Sequence, residues 1–126
     1  MESVANKQSR VQLLAGGIYQ TREAWIDTAI ASFPVESKVG VLLEGLPAGT
    51  LLLQSNSHLF VERIAPGCFC CIGQLAMKVT LNRLLRRQLD YLFIAINDIN
   101  HVADLALYLQ TEPYSQRLKC ENVMTL

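Results

Sequence analysis

Several features that would assign a chain quickly are missing from this one. It carries no net charge: eleven Lys and Arg balance eleven Asp and Glu. That balance excludes the strong field that draws nucleic acid or an anionic membrane to a surface. Only 17% of its residues are charged, against 51% hydrophobic. A chain of that composition folds, and its low charge hints at surface buried against a partner. The first ten residues, Met1 to Arg10, hold no apolar stretch, so no secretory signal is expected there. The longest apolar run, Leu89 to Ile96, is too short for a bilayer. A cytoplasmic location is the default expectation, and in a reducing cytosol cysteines are thiols or metal ligands rather than disulfides. Histidine is scarce, His58 and His101 being the two. No Ser-His-Asp set and no paired carboxylates can be placed, so no catalytic constellation is expected. Internal repeats and low-complexity tracts are also lacking.

The 126 residues are enough for one domain, 1–126, with one core. Arg10 to Leu14 reads as a buried strand entering the turn Ala15-Gly16-Gly17. A helix is expected from about Thr21 to Phe33, with Ile26, Ala29, Ile30 and Phe33 on one face, Thr21 as its cap and Pro34 as its stop. Val39 to Leu43 reads as a second buried strand, Leu51 to Gln54 as a short strand, and His58 to Ile64 as another. Gln74 to Gln88 has the stripe Met77, Leu81, Leu84, Leu85 of a helix, with Arg83, Arg86 and Arg87 on its other side. Tyr91 to Ile96 is a continuous apolar strand. His101 to Gln110 repeats the helical pattern, and Cys120 to Leu126 is the last strand. Strands alternating with helices predict an α/β fold: a mostly parallel sheet with helices on both faces.

The most unusual segment is Pro66-Gly67-Cys68-Phe69-Cys70-Cys71-Ile72-Gly73, with three cysteines in four residues. Thiolates are soft ligands for zinc, and flanking glycines let the backbone turn tightly around an ion. The plainer alternative is that the three are small packing residues or unused thiols. Three thiols do not complete a tetrahedral shell, and the neighbours Cys70 and Cys71 tend to diverge.

The order of strand, glycine turn and helix, followed by Ile64-Ala65-Pro66-Gly67-Cys68-Phe69-Cys70-Cys71, a leucine-rich helix and the strand at Asp90-Tyr91, resembles the CobW-like metal-chaperone GTPases. Gly67, Cys68, Cys70 and Cys71 match that family's Gly-Cys-x-Cys-Cys motif at each fixed position. The likeness runs weakly from about Val11 to the C-terminus and rests mostly on this motif. It implies a truncated, P-loop NTPase-like fold. It also names Cys70 as the central metal ligand and adds Glu44, which aligns with a glutamate after the family's second strand. Ligands from a second subunit would complete the shell.

The departures from the family pattern concern the nucleotide. A phosphate loop reads Gly-x-x-x-x-Gly-Lys-Ser/Thr: backbone amides cradle phosphate, the lysine reaches the terminal phosphates and the hydroxyl holds magnesium. Here the stretch is Gly16-Gly17-Ile18-Tyr19-Gln20-Thr21-Arg22-Glu23. Thr21 replaces the second glycine, Arg22 the lysine and Glu23 the hydroxyl. A carboxylate at that place repels phosphate. The acidic turn after the buried strand is replaced by Ala95-Ile96-Asn97-Asp98, and no guanine-reading Asn-Lys-x-Asp follows. The expectation is a degenerate phosphate loop, no bound nucleotide and no enzyme activity.

Three functions are therefore carried forward. The first is a non-catalytic metal-binding or metal-trafficking accessory protein, zinc its default ion, with Cys68, Cys70, Cys71 and Glu44 as ligands. The second is an interaction module with inert cysteines that dimerises or docks on a partner. The third is residual GTP binding or hydrolysis. The expected partner is a second copy, or a complete GTPase or metalloprotein, because a truncated sheet leaves an open edge. His58 near the cysteine strand is read as a loop residue before a ligand, His101 as solvent-facing or a cap, and Cys120 as a packed strand residue. The arginines of the second helix are read as a solvated face that could meet an acidic partner, and Trp25 as core or subunit contact.

Overall fold

A computed structural model describes residues 8–47, 49, 51–66 and 73–126. Cys68, Cys70 and Cys71 lie outside the described residues, as does most of the polar N-terminal stretch. The elements are β1 (Ser9–Ala15), α1 (Tyr19–Ile30), β2 (Val39–Glu44), β3 (Leu59–Ile64), α2 (Gly73–Leu85) and β4 (Tyr91–Ile96). A 3₁₀ turn (Ile99–His101), α3 (Val102–Tyr108), α4 (Tyr114–Arg117) and β5 (Leu118–Thr125) follow. The five strands form one sheet in the order β3-β2-β4-β1-β5, and each pairing is parallel. The expected α/β architecture is therefore present.

Each central strand is apolar on both faces because both faces are covered. Every residue of β2 is buried. One layer, built on Leu13, Leu42, Leu92, Ile94 and Ile96, packs α2, α3 and α4 through Leu81, Leu84, Leu105, Leu109 and Tyr114. The other, built on Leu14, Val41, Leu43, Phe93 and Ala95, packs α1 through Tyr19 and Ile26, with Trp25 and Phe33 half-buried beside them. Trp25 meets Phe93 edge-on at 6.3 Å, so it is a core-edge residue, as expected.

Topology follows from handedness. The chain leaves β1 through α1, crosses β4 and enters β2, and β3 then adds on the outside. It returns across β2 through α2 on the opposite face to reach β4. Right-handed crossovers running in opposite directions across a sheet must use opposite faces. The adjacent strands β1 and β4 consequently send their connections to different sides. Their carboxyl ends flank the crevice where open α/β sheets hold ligands.

The boundaries differ from expectation for local reasons. α1 begins at Tyr19 rather than Thr21, and its N-cap Ile18 makes no side-chain cap. It ends at Ile30 because the Ser32 hydroxyl donates to the Ala29 carbonyl at 2.8 Å. α2 stops at Leu85 because Gln88 adopts φ 56°, a left-handed conformation that closes a helix. Leu51 to Gln54 is not a strand. The Leu53 N–H donates to the Glu23 carboxylate at 2.8 Å and its carbonyl accepts from Arg63 at 2.8 Å, so side chains rather than a neighbouring strand satisfy this backbone. The polar 111–116 segment gains α4, whose buried Tyr114 hydroxyl donates to Asn82 Oδ1 at 2.9 Å. β5 is an edge strand exposed beyond Leu118. Cys120 is thus exposed rather than packed. Among the described residues, no helix is long and apolar enough to cross a membrane.

Candidate functional site: an arginine-filled glycine turn

β1 delivers Gly16 and Gly17 to the crevice between the ends of β1 and β4. Both have positive φ, +91° and +64°. A Cβ at Gly16 would stand 2.8 Å from the Leu126 carbonyl oxygen, so the turn demands glycine there. In a working phosphate loop the amides of such a turn face the anion. Here the carbonyls of this turn face a cation. The Arg22 guanidinium, 1% exposed, donates from one terminal nitrogen to Gly16 O and Gly17 O, both at 2.9 Å. Its other terminal nitrogen donates to Glu44 O at 3.1 Å and to Asn97 Oδ1. The Arg22 side chain therefore folds back and occupies the turn.

The two ends of the crevice are closed by the same residues. Asn97 N–H donates to Glu44 Oε1 at 2.8 Å, joining the ends of β2 and β4. Burial pushes the Arg22 guanidinium below its ordinary value, and the nearby Glu44 carboxylate opposes that shift. Arginine keeps its proton in any case, so a buried cation stands beside a buried anion. Gly45 follows Glu44 at φ +132°, where a Cβ would lie 2.8 Å from the Tyr19 ring and 3.3 Å from Arg22. This glycine lets the chain pass over the guanidinium.

Glu23, the next residue of α1, is equally committed. Its carboxylate, 2% exposed as a residue, accepts from Leu53 N–H and from Arg63, each at 2.8 Å. Arg63 Nε also donates to the Tyr19 hydroxyl. Burial acts to lower the Arg63 value, but the hydrogen bonds and charges of Tyr19 and Glu23 outweigh it, and the net shift is upward. Burial raises the Tyr19 phenol, with Arg63 pulling the other way. Both charged residues are internal anchors: Arg22 ties β1, β2 and β4, and Glu23 ties α1, β3 and Leu53 of the β2–β3 connection.

The remaining candidates are spread out. Thr21 is exposed on α1. Glu44 lies opposite Ile64 in the β2–β3 register, next to the strand end from which the cysteine segment departs. His58 stands at the other end of β3, its Nδ1 3.0 Å from Ser57 Oγ. His101 lies at the end of the 3₁₀ turn, 3.9 Å from Asp98. Among the described residues, no group of three or more His, Cys, Asp or Glu stands together. A metal shell would therefore have to be built around the cysteine segment itself.

Sequence reading missed Asn97, Arg63 and Tyr19. A signal existed for part of this network: Tyr19, Arg22, Glu23 and Ile26 fall at i, i+3, i+4 and i+7. Two charges on the stripe that continues into the core must be buried and paired.

The fold and this crevice define the class: a single α/β domain with an all-parallel sheet and a self-filled ligand crevice. No protein-family model, curated protein or solved structure matches the chain.

Proposed function

We propose that this domain is a non-catalytic metal-binding accessory module, zinc its ion, whose ancestral phosphate loop has become a structural anchor. The observation that supports it is Arg22. A guanidinium already bonded to Gly16 O, Gly17 O, Glu44 O and Asn97 leaves no room for a phosphate, and the carbonyls it engages would repel one. Kinship with CobW-like GTPases belongs to the same proposal. It accounts for a glycine turn kept at a ligand crevice that no longer admits a nucleotide. Cys68, Cys70 and Cys71 are the proposed thiolate ligands, with Cys70 central. Glu44 is the fourth proposed ligand; it pairs with Ile64, after which the cysteine segment begins, although its Oε1 already serves Asn97. Zinc held by thiolates would supply a redox-inert centre suited to carriage.

Native mass spectrometry under reducing conditions should find close to one zinc per chain, weakened by Cys70→Ser. Absence of bound metal before and after adding zinc sinks the metal reading. Tight binding of a fluorescent GTP analogue would sink the self-filled loop.

The exposed edge β5 favours a second reading, a docking module that pairs with a second copy. Val123 is 51% exposed and Met124 39%, and an unpaired edge strand is a template for another chain. Sedimentation equilibrium separates the two readings, since metal carriage needs the thiols and edge pairing does not.

A further inference from the structure

An open cavity of about 510 Å³ lies on the outer side of β3, toward the amino-terminal ends of the strands and away from Arg22. Lys38, Ser55, Asn56, Phe60, Arg83 and Arg87 line it. Its volume is that of a small-molecule site.

The bonds already made by these residues decide what they have left to offer. Asn56 Oδ1 accepts from His58 N–H at 2.7 Å and from Leu59 N–H at 2.8 Å. The carbonyl oxygen of that amide is spent on the turn, and its NH₂ remains. Ser55 Oγ accepts from Val61 N–H at 2.9 Å, which leaves its O–H to donate. The Arg87 guanidinium lies 4.8 Å above the Phe60 ring, a contact that fixes its plane and keeps its N–H edge free. Arg83 spends one nitrogen on Glu62 at 2.9 Å and retains the others. Lys38 adds a third cation, while Glu62 is the one carboxylate of the lining. Donors and positive charge are thus concentrated here in a chain whose net charge is zero.

We propose that this cavity binds a small phosphate-bearing anion, a phosphomonoester or diphosphate. Such a group presents several acceptor oxygens, and arginine's planar fork matches phosphate geometry. The site is separate from the crevice of Arg22 and does not depend on the metal reading.

The test uses the full chain and pyrophosphate at constant ionic strength, followed by amide NMR shifts, with malonate as the carboxylate control. Saturable binding is expected, with shifts confined to Lys38, Ser55–Glu62 and Arg83–Arg87 and with malonate weaker. Asn56→Asp keeps the oxygen that the two turn amides need but removes the NH₂ and adds negative charge, so affinity should fall about tenfold or more. Arg87→Ala, checked for folding by circular dichroism, should weaken binding as well. The proposal is overturned if pyrophosphate does not saturate or if Asn56→Asp binds as tightly as the parent. Tighter binding of malonate, or shifts at Gly16–Arg22, would also overturn it.

Discussion

Arg22 shows how one charged residue can fill a glycine turn and make it a piece of core. A buried acceptor left without its donor is costly, and more so where the donor is charged. Arg22→Ala would take that donor from the carbonyls of Gly16, Gly17 and Glu44 and from Asn97 Oδ1. It should cost about 3–5 kcal/mol, read as a lowered urea midpoint. Arg22→Lys keeps the charge but cannot reach four acceptors with a fork, so it should recover only part of that loss. A second residue sets a pH limit. Burial, together with the Tyr108 hydroxyl, raises the Tyr114 phenol from 10.0 to about 12. The folded state therefore favours neutral Tyr114, and its contribution is complete below pH 10 and lost as pH rises toward about 12. Unfolding followed across that window should show stability falling, and Tyr114→Phe should flatten the fall. This tyrosine gave no sequence signal, because a single aromatic in a polar stretch carries no period.

At the scale of elements, the chain between β2 and β3 is held by side chains rather than by sheet pairing. Leu53 is buried with its N–H on Glu23 and its carbonyl on Arg63. Glu23→Gln weakens the bonds it accepts from Leu53 N–H and from Arg63 by removing the charge that assists them. Amide exchange at Leu53 should then accelerate, while the amides of β2 and β4 should remain protected. Uniform acceleration throughout the sheet would show instead that Glu23 supports the whole fold. The same network explains why Leu51 to Gln54 reads as a strand yet is none. A short apolar run suggests a strand, but pairing needs free backbone groups, and both of Leu53's are taken. The long central strands were legible because continuous apolar runs such as Tyr91–Ile96 have few other uses. Helix ends were less legible, since Ser32 and the left-handed Gln88 close α1 and α2 by local geometry.

For the whole molecule, the open question is what meets β5. Its neighbour on one side is β1, and among the described residues no strand lies on the other. If copies pair through this edge, Val123→Lys should shift the sedimentation profile to monomer, since lysine on an edge blocks pairing. A profile that is monomeric before the substitution removes that reading. The sequence by itself determined the class of fold, through apolar runs of strand length alternating with amphipathic helices. It also carried the cysteine motif and the charged pair Arg22 and Glu23 after a double-glycine turn. It could not decide what that pair binds. Arg22 reaches Asn97 and Glu44, and Glu23 reaches Leu53 and Arg63, across 22 to 75 residues of chain for the first and 30 to 40 for the second. Only the tertiary structure brings those partners to one end of the sheet. Hydrophobic period is a local property of a chain, whereas the pairing of buried charges is settled by which strand ends the crossovers place side by side.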